Sequence, residues 1–327
     1  MDTRVRLSII IPMYNAEKYI AKCLDSIFAE IDKTDDIEVI LIDDGSSDRS
    51  IESCKDFLVY NIQILKNIHK GVSAARNLGI AQATGKWIMF VDADGWLAQG
   101  WSSVLSAYYA DSADIVFFNK DIVEKMDKND LMFNLLGIET KLKFLAGPFS
   151  KLYRKSTLTE GSCYFNQSVI NGEDMLFNAQ FLINCRSIRL SSESIYCYRI
   201  HTGSSTKRFD ENIITSDYTF HELLKKILEK ANLSTREKKK IQEFCVRNSI
   251  FILTQKYAYV NSYREIREYF RIFKQEPYCK ISVKRIKSKK DIIIFLVKLR
   301  MYMLAFLICR IQKEYKFYHD KEYIVRI

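Results

Sequence analysis

Proline and glycine are scarce in this 327-residue chain, at three and 11 residues, which excludes collagen-like and Pro/Gly-rich low-complexity protein. Metal-type clustering is missing too: the four histidines fall into no spaced set with the cysteines, and no C-x-x-C occurs. The eight cysteines therefore read as reduced core or surface thiols. No secretory signal is evident, because the apolar run in MDTRVRLSIIIPMYN ends at Pro12 and passes into polar residues; a cytosolic location is expected. A transmembrane span is also disfavoured. The longest apolar stretch, residues 292–309, carries Lys298 and Arg300 near its middle, each costing about 2.5–3.5 kcal/mol at the centre of a spanning helix.

What is abundant is apolar sequence and, at one end, positive charge. With 48% hydrophobic and 13% aromatic residues the chain can bury a full core, which excludes intrinsic disorder. The formal charge is +10, and from Lys280 onward thirteen Lys and Arg stand against four acids, leaving the remaining 279 residues close to neutral. A nucleic-acid-binding fold would spread or stripe its charge, so no nucleic-acid partner is expected.

Residues 7–11 form a short Ile-rich run that suits a strand buried on both faces. Tyr19, Ile20, Cys23, Leu24, Ile27, Phe28 and Ile31 then recur at helical spacing. IEVILID (37–43) reads as a second buried strand, and Ile51, Cys54, Phe57 and Leu58 as the apolar stripe of a helix. A strand near 62–65, a helix near 72–83 and the strand WIMFVD (87–92) continue the alternation. Such alternation implies an α/β fold with a doubly wound, mostly parallel sheet, whose ligands bind beyond the carboxyl ends of the strands. Those ends read PMYN, DDGSSD and DADGW. After a mixed stretch the chain reads as helical from about residue 215, giving two expected domains: 1–214, α/β, and 215–327, helical and basic.

Acids gathered at strand ends are costly unless cations or hydrogen-bond donors lie between them. Asp92 and Asp94, after an apolar strand, offer oxygen ligands suited to Mg²⁺ or Mn²⁺ bound beside phosphates, although D-x-D alone is equally an acidic turn. Asp43 and Asp44 suit capping of the next helix. Glu173 and Asp174 sit where first-turn acids favour a helix dipole.

Taken in order, SIIIPMYNAEKYI, VILIDDGSSDRS, HKGVSAARNLGIAQATGKWIMFVDADGWL, GPFSKLYRKSTL, NGEDMLFN and YRIHTGSS resemble the family 2 glycosyltransferases. These are inverting enzymes of the GT-A fold that build polysaccharides from nucleotide-activated sugars. The resemblance runs from about Leu7 to Ser205 and leaves the last hundred-odd residues uncovered.

It implies a donor site in which Pro12, Tyr14 and Glu17 lie at the base end, Asp44 accepts the uracil imide proton, and Arg76 lies near the base or diphosphate. Asp92 is expected near the ribose and Asp94 on the metal, Mn²⁺ or Mg²⁺, which neutralises the leaving diphosphate. Asp174 is expected as the catalytic base, with Glu173 beside it on the acceptor or diphosphate side. His201 is expected to close on the diphosphate, with Lys151 and Trp96 on the acceptor or diphosphate side; Trp96 and Trp101 suit core packing equally. Many relatives carry a further acid where this chain has Gly95.

The implied partners are a nucleotide-sugar donor, favoured as a UDP-sugar, and a glycan acceptor, expected to be lipid-linked. Clustered cations beside residues 292–309 suit a peripheral position on an anionic cytoplasmic membrane face, while a helix packed on the protein with a basic rim is the competing use. Nucleotidyltransfer is a rival reading, but it usually needs a Gly-rich loop after the first strand, and PMYN has none. A non-catalytic nucleotide or glycan binder is the other.

Overall fold

A computed structural model describes residues 5–31, 36–122, 125–138, 142, 145–200, 210–260, 271–281, 286, 288–319 and 323–327. The elements of the first part are β1 (Leu7–Met13), α1 (Ile20–Phe28), β2 (Ile37–Asp43), β3 (Ile62–Lys66), α2 (Val72–Gln82), β4 (Trp87–Phe90), β5 (Trp96–Leu97) and α3 (Trp101–Ser106). They are followed by β6 (Ile115–Phe118), α4 (Lys128–Leu135), β7 (Lys151–Arg154), α5 (Lys155–Glu160), α6 (Glu173–Asn184), β8 (Ile188–Ser191) and β9 (Tyr196–Ile200). The helical part holds α7 (Ile213–Lys230), α8 (Thr235–Val260), α9 (Lys289–Lys298) and α10 (Tyr302–His319), and the chain closes on β10 (Tyr323–Arg326).

Among the described residues, seven strands form one sheet in the order β3-β2-β1-β4-β7-β6-β8. β1 pairs in parallel with β2 and β4, and β7 runs antiparallel between β4 and β6. The order reverses direction at β1, so a crevice opens beyond the carboxyl ends of β1 and β4, where doubly wound sheets bind ligands. β1 and β4 are buried along their whole length, as expected of strands covered on both faces. β1 runs on through Pro12 to Met13, in register with Ile42 and Asp43. A smaller antiparallel sheet joins β10, β9 and β5.

Two expectations need correction. The segment Glu52–Val59 is a 3₁₀ helix, with three residues per turn. Ile51, Cys54 and Phe57 therefore align, while Leu58 falls off the stripe and is 56% exposed. The helical reading after residue 215 also stops short of the end. Tyr323–Arg326 pairs antiparallel with β9, and Ile327 is buried in the core built around β1 and α1.

Two compact units result: residues 1–167, 172–200 and 323–327, and residues 168–171 with 201–322. In the second, the apolar faces of α8, α9 and α10 share one core, including Ile250, Leu253, Tyr278, Ile294, Val297 and Phe306. Residues 292–309 are not one helix: α9 ends at Lys298, and the chain turns through Arg300, at φ 61°, before α10 begins. Among the described residues no helix is long and apolar enough to cross a membrane.

Candidate active site

α2 is held tight to the sheet. A Cβ on Gly79 would press on Ile10 and lie 3.0 Å from Ile42 Cδ1, so only glycine lets the helix lie this close to β1 and β2. Arg76, one turn earlier, is thereby set toward the carboxyl ends of the strands. Its side chain is the hinge of the site. Nη1 donates to Asp174 Oδ1 at 2.6 Å and Nη2 to Asp92 Oδ1 at 2.9 Å, while Nε is buried with no hydrogen-bond partner in the structure. Arg76 is only 4% exposed. Burial works against its charge, but the carboxylates of Asp174, Asp92 and Glu173 outweigh that and raise its pKa. Arg76, expected near the donor, forms a buried fork joining two acids.

Asp174 and Glu173 occupy the first turn of α6, which starts from Gly172 at φ 90°. Burial raises the pKa of Asp174 above the ordinary carboxylate value, with Arg76 opposing and Asp92 reinforcing the rise. Glu173 is likewise raised, by burial first and the Asp174 charge second. Asp174 uses Oδ1 toward Arg76, which leaves Oδ2 to accept a proton. The helix turn beneath is fixed by Asn178, whose amide donates to Asp174 O at 3.0 Å and Ala146 O at 2.8 Å and whose Oδ1 accepts from Tyr153 Oη at 2.7 Å.

Asp92 and Asp94 follow β4 on one turn closed by Gly95 N to Asp92 O at 2.9 Å. Asp92 N–H points to Tyr196 Oη at 3.2 Å. A Cβ at position 95 would come within 2.6 Å of Tyr196 Cζ, so Tyr196 fills the place a side chain there would need. This gives Gly95 a steric reason. Arg199 Nε donates to Asp94 O at 3.0 Å. Among the described residues no three His, Cys, Asp or Glu come together as a cation cage. One or two carboxylates that share Mg²⁺ or Mn²⁺ with substrate phosphates fit this donor set, since Mg²⁺ keeps few protein ligands.

On the neighbouring loops, Asp44 is 3% exposed. Its Oδ1 accepts from Asn67 Nδ2 and Lys70 N, both at 2.9 Å, and its Oδ2 from Gly71 N at 2.8 Å. The carboxylate therefore ties down the loop leading into α2 and keeps one acceptor direction on Oδ2 for a ligand N–H. Tyr14, half-exposed, packs against His69 with 4.3 Å between ring centroids and the rings tilted by 30°, making an aromatic pair beside Asp44. Nothing in the residue pattern singled out His69; the signal available was its place in HKG, just before the α2 N-terminus. Glu17, exposed, accepts at Oε2 from Arg49 N at 3.1 Å, and Pro12 is buried within β1.

The remaining candidates separate. Lys151 is buried, and its ammonium donates to the carbonyls of Gly147 and Phe149. Burial depresses its pKa to about 7, against the pull of Asp174. It supports the 147–151 turn and presents no open face to an acceptor. Trp96 carries Lys22 Nζ at 3.6 Å and the Arg199 guanidinium at 5.0 Å over its ring, while Trp101 is core, with Nε1 donating to Ser26 O at 3.1 Å. His201 lies outside the described residues.

Comparison with known proteins gives a family match described as Glycosyl transferase family 2 over residues 8–172. Glycosyltransferase GlyA of Streptococcus pneumoniae serotype 4 is 31% identical over 228 residues, which is 63% of this chain and 32% of GlyA. The chain thus spans about a third of that relative's length. EpsH of Bacillus subtilis is 24% identical over 322 residues, covering 90% of this chain and 92% of EpsH. The crystal structure of S. aureus TarS residues 1–349 in complex with UDP-GlcNAc matches with a TM-score of 0.64 at 19% identity, covering 94% of this chain and 92% of that one. The likeness is one of fold.

Proposed function

The chain belongs to glycosyltransferase family 2, and on that premise we propose that it is a metal-dependent, inverting transferase. It moves a sugar from a UDP-sugar to a hydroxyl of a glycan acceptor, lipid-linked and presented at the cytoplasmic membrane face, in cell-surface polysaccharide synthesis. The observation that carries the reading is the Arg76 fork, which holds a base-like carboxylate and a strand-end carboxylate together at the crevice of a GT-A sheet.

Asp174 Oδ2 accepts the proton of the acceptor hydroxyl as that oxygen bonds to the anomeric carbon. The bond from that carbon to the diphosphate oxygen breaks on the opposite face, and its electron pair leaves with UDP, so an α-linked donor yields a β-glycoside. Asp94, with diphosphate oxygens, would hold Mg²⁺ or Mn²⁺, which neutralises charge on the leaving group. Arg76 keeps Asp174 ionised and aimed. The Tyr14–His69 pair offers a face to the base, and the last acceptor direction of Asp44 suits an imide N–H. UDP is further supported by the TarS structure, which contains UDP-GlcNAc.

Thermal unfolding with UDP, GDP and dTDP, each with and without Mn²⁺, tests the donor. At 100 times its dissociation constant a ligand stabilises by about 2.7 kcal/mol. A Mn²⁺-dependent rise with UDP that Asp94→Ala abolishes is expected; preference for another nucleotide would change the donor, and no response to any would overturn the reading.

A further inference from the structure

Over its first ten residues, 302–311, α10 turns an apolar face away from its core. Ala305, Phe306 and Cys309 are buried on one side, whereas Met303, Leu304, Leu307 and Ile311 are 43 to 66% exposed. At about 100° per residue these four share an arc of about 100° opposite the buried side. A surface helix normally turns polar residues that way, and a helix apolar all round belongs against another apolar phase. The turn before it adds Leu299 and Met301, both exposed.

Charge says what that phase is. From residue 292 to residue 311 there are three Lys and Arg and no acid. Arg300 is exposed at the turn, and Arg310 is exposed on the edge of the apolar arc, its Nε on Ala258 O at 3.1 Å. Lys298 and Arg300, which in one continuous helix would point about 200° apart, are separated by the break at the turn. A second copy of the chain is a poor occupant: a two-fold interface would set the cations of this patch against themselves. A fluid anionic bilayer suits flexible Met and Leu side chains and rewards cations at their rim.

We propose that the exposed face of α10 and the turn preceding it dock on an anionic lipid surface, with Met303, Leu304, Leu307 and Ile311 entering the headgroup boundary and Arg300 and Arg310 meeting lipid phosphates. This deepens the membrane-face part of the proposed function and rests on it only for where the acceptor is found.

The test is flotation of the full chain, without donor or acceptor, on vesicles of equal parts phosphatidylcholine and phosphatidylglycerol, against phosphatidylcholine alone. The wild type is expected to float with the anionic vesicles and to be released by salt. Leu304→Gln/Leu307→Gln should bind at least roughly tenfold more weakly, and Arg300→Asn, which keeps a residue suited to positive φ, about fivefold. Both variants should keep the nucleotide-induced thermal shift of the wild type, so loss of flotation with an intact shift separates this surface from the donor site. Failure of the wild type to float, equal flotation on neutral vesicles, or undiminished flotation of the double variant would overturn the proposal. So would a wild-type dimer that the double variant dissolves, which would assign the patch to a second copy.

Discussion

Arg76 and Asp174 lie 98 positions apart in the chain and 2.6 Å apart in space. The bond joins the second turn of α2 to the first turn of α6. With the second bond to Asp92 it makes one buried cation answer for two carboxylates.

A lysine cannot reproduce that fork, because a single ammonium does not span both acids with the guanidinium's geometry. Arg76→Lys is expected to lower kcat/KM roughly a hundredfold. Arg76→Met removes the charge altogether, leaves two carboxylates facing each other, and should cost about 3 kcal/mol of stability, read as a lower Tm and denaturation midpoint. Activity of Arg76→Lys close to wild type would remove Arg76 from the account.

The raised pKa of Asp174 sets the acid side of the pH profile. A base must be ionised to act, so kcat/KM should fall with decreasing pH at values above those of an ordinary aspartate. Lys151 lowers that pKa, so Lys151→Met should move the acid limb to higher pH. The same substitution has a stability signature. The folded-state pKa of Lys151, about 7 against 10.5 for the free side chain, means the unfolded chain binds more protons between those values, and wild-type stability gains from this group as pH rises through the window. Lys151→Met should lack that gain, seen by comparing the two unfolding free energies at neutral and alkaline pH.

Tyr196 and position 95 compete for one volume. Gly95→Ala should destabilise by about 1–3 kcal/mol through overpacking, and only part of that cost should disappear in a Tyr196→Phe background, which removes the hydroxyl but keeps Cζ, 2.6 Å from the added methyl. A double-mutant cycle on chemical denaturation measures the coupling.

The Tyr14–His69 pair is expected to serve binding and leave chemistry alone. His69→Ala should raise KM for the nucleotide-sugar about tenfold by loss of stacking with kcat nearly unchanged. A fall in kcat at constant KM would place His69 in the reaction step instead.

Much of the sheet was legible because strands covered on both faces leave unbroken apolar runs: 37–43 is a strand over the residues expected. The 62–65 run, also read correctly, forms an edge strand that stays half-exposed, so its apolar composition overstated its burial. The 3₁₀ segment at 52–59 was misread because residues 51, 54 and 57 fit a period of three as well as one of 3.6, and only Leu58 distinguishes them. β10 was missed because a four-residue strand beside charged residues carries no periodicity; its place is fixed by the distant β9. At the site, motif order brought Asp92, Asp94 and Asp174 to notice. It could not reveal that Arg76 bridges two of them, that Lys151 is sealed under backbone carbonyls, or that His69 pairs with Tyr14, because each depends on loops meeting in space.

The most direct test is sugar transfer by wild type and Asp174→Asn, followed as UDP release from a panel of UDP-sugars with a glycan acceptor, alongside UDP binding by each. The account predicts turnover in the wild type, loss of at least roughly a thousandfold in the variant, and UDP binding retained by both. Asp174→Asn that turns over near the wild-type rate while folded would contradict the assignment of Asp174 as the base, and with it the central claim.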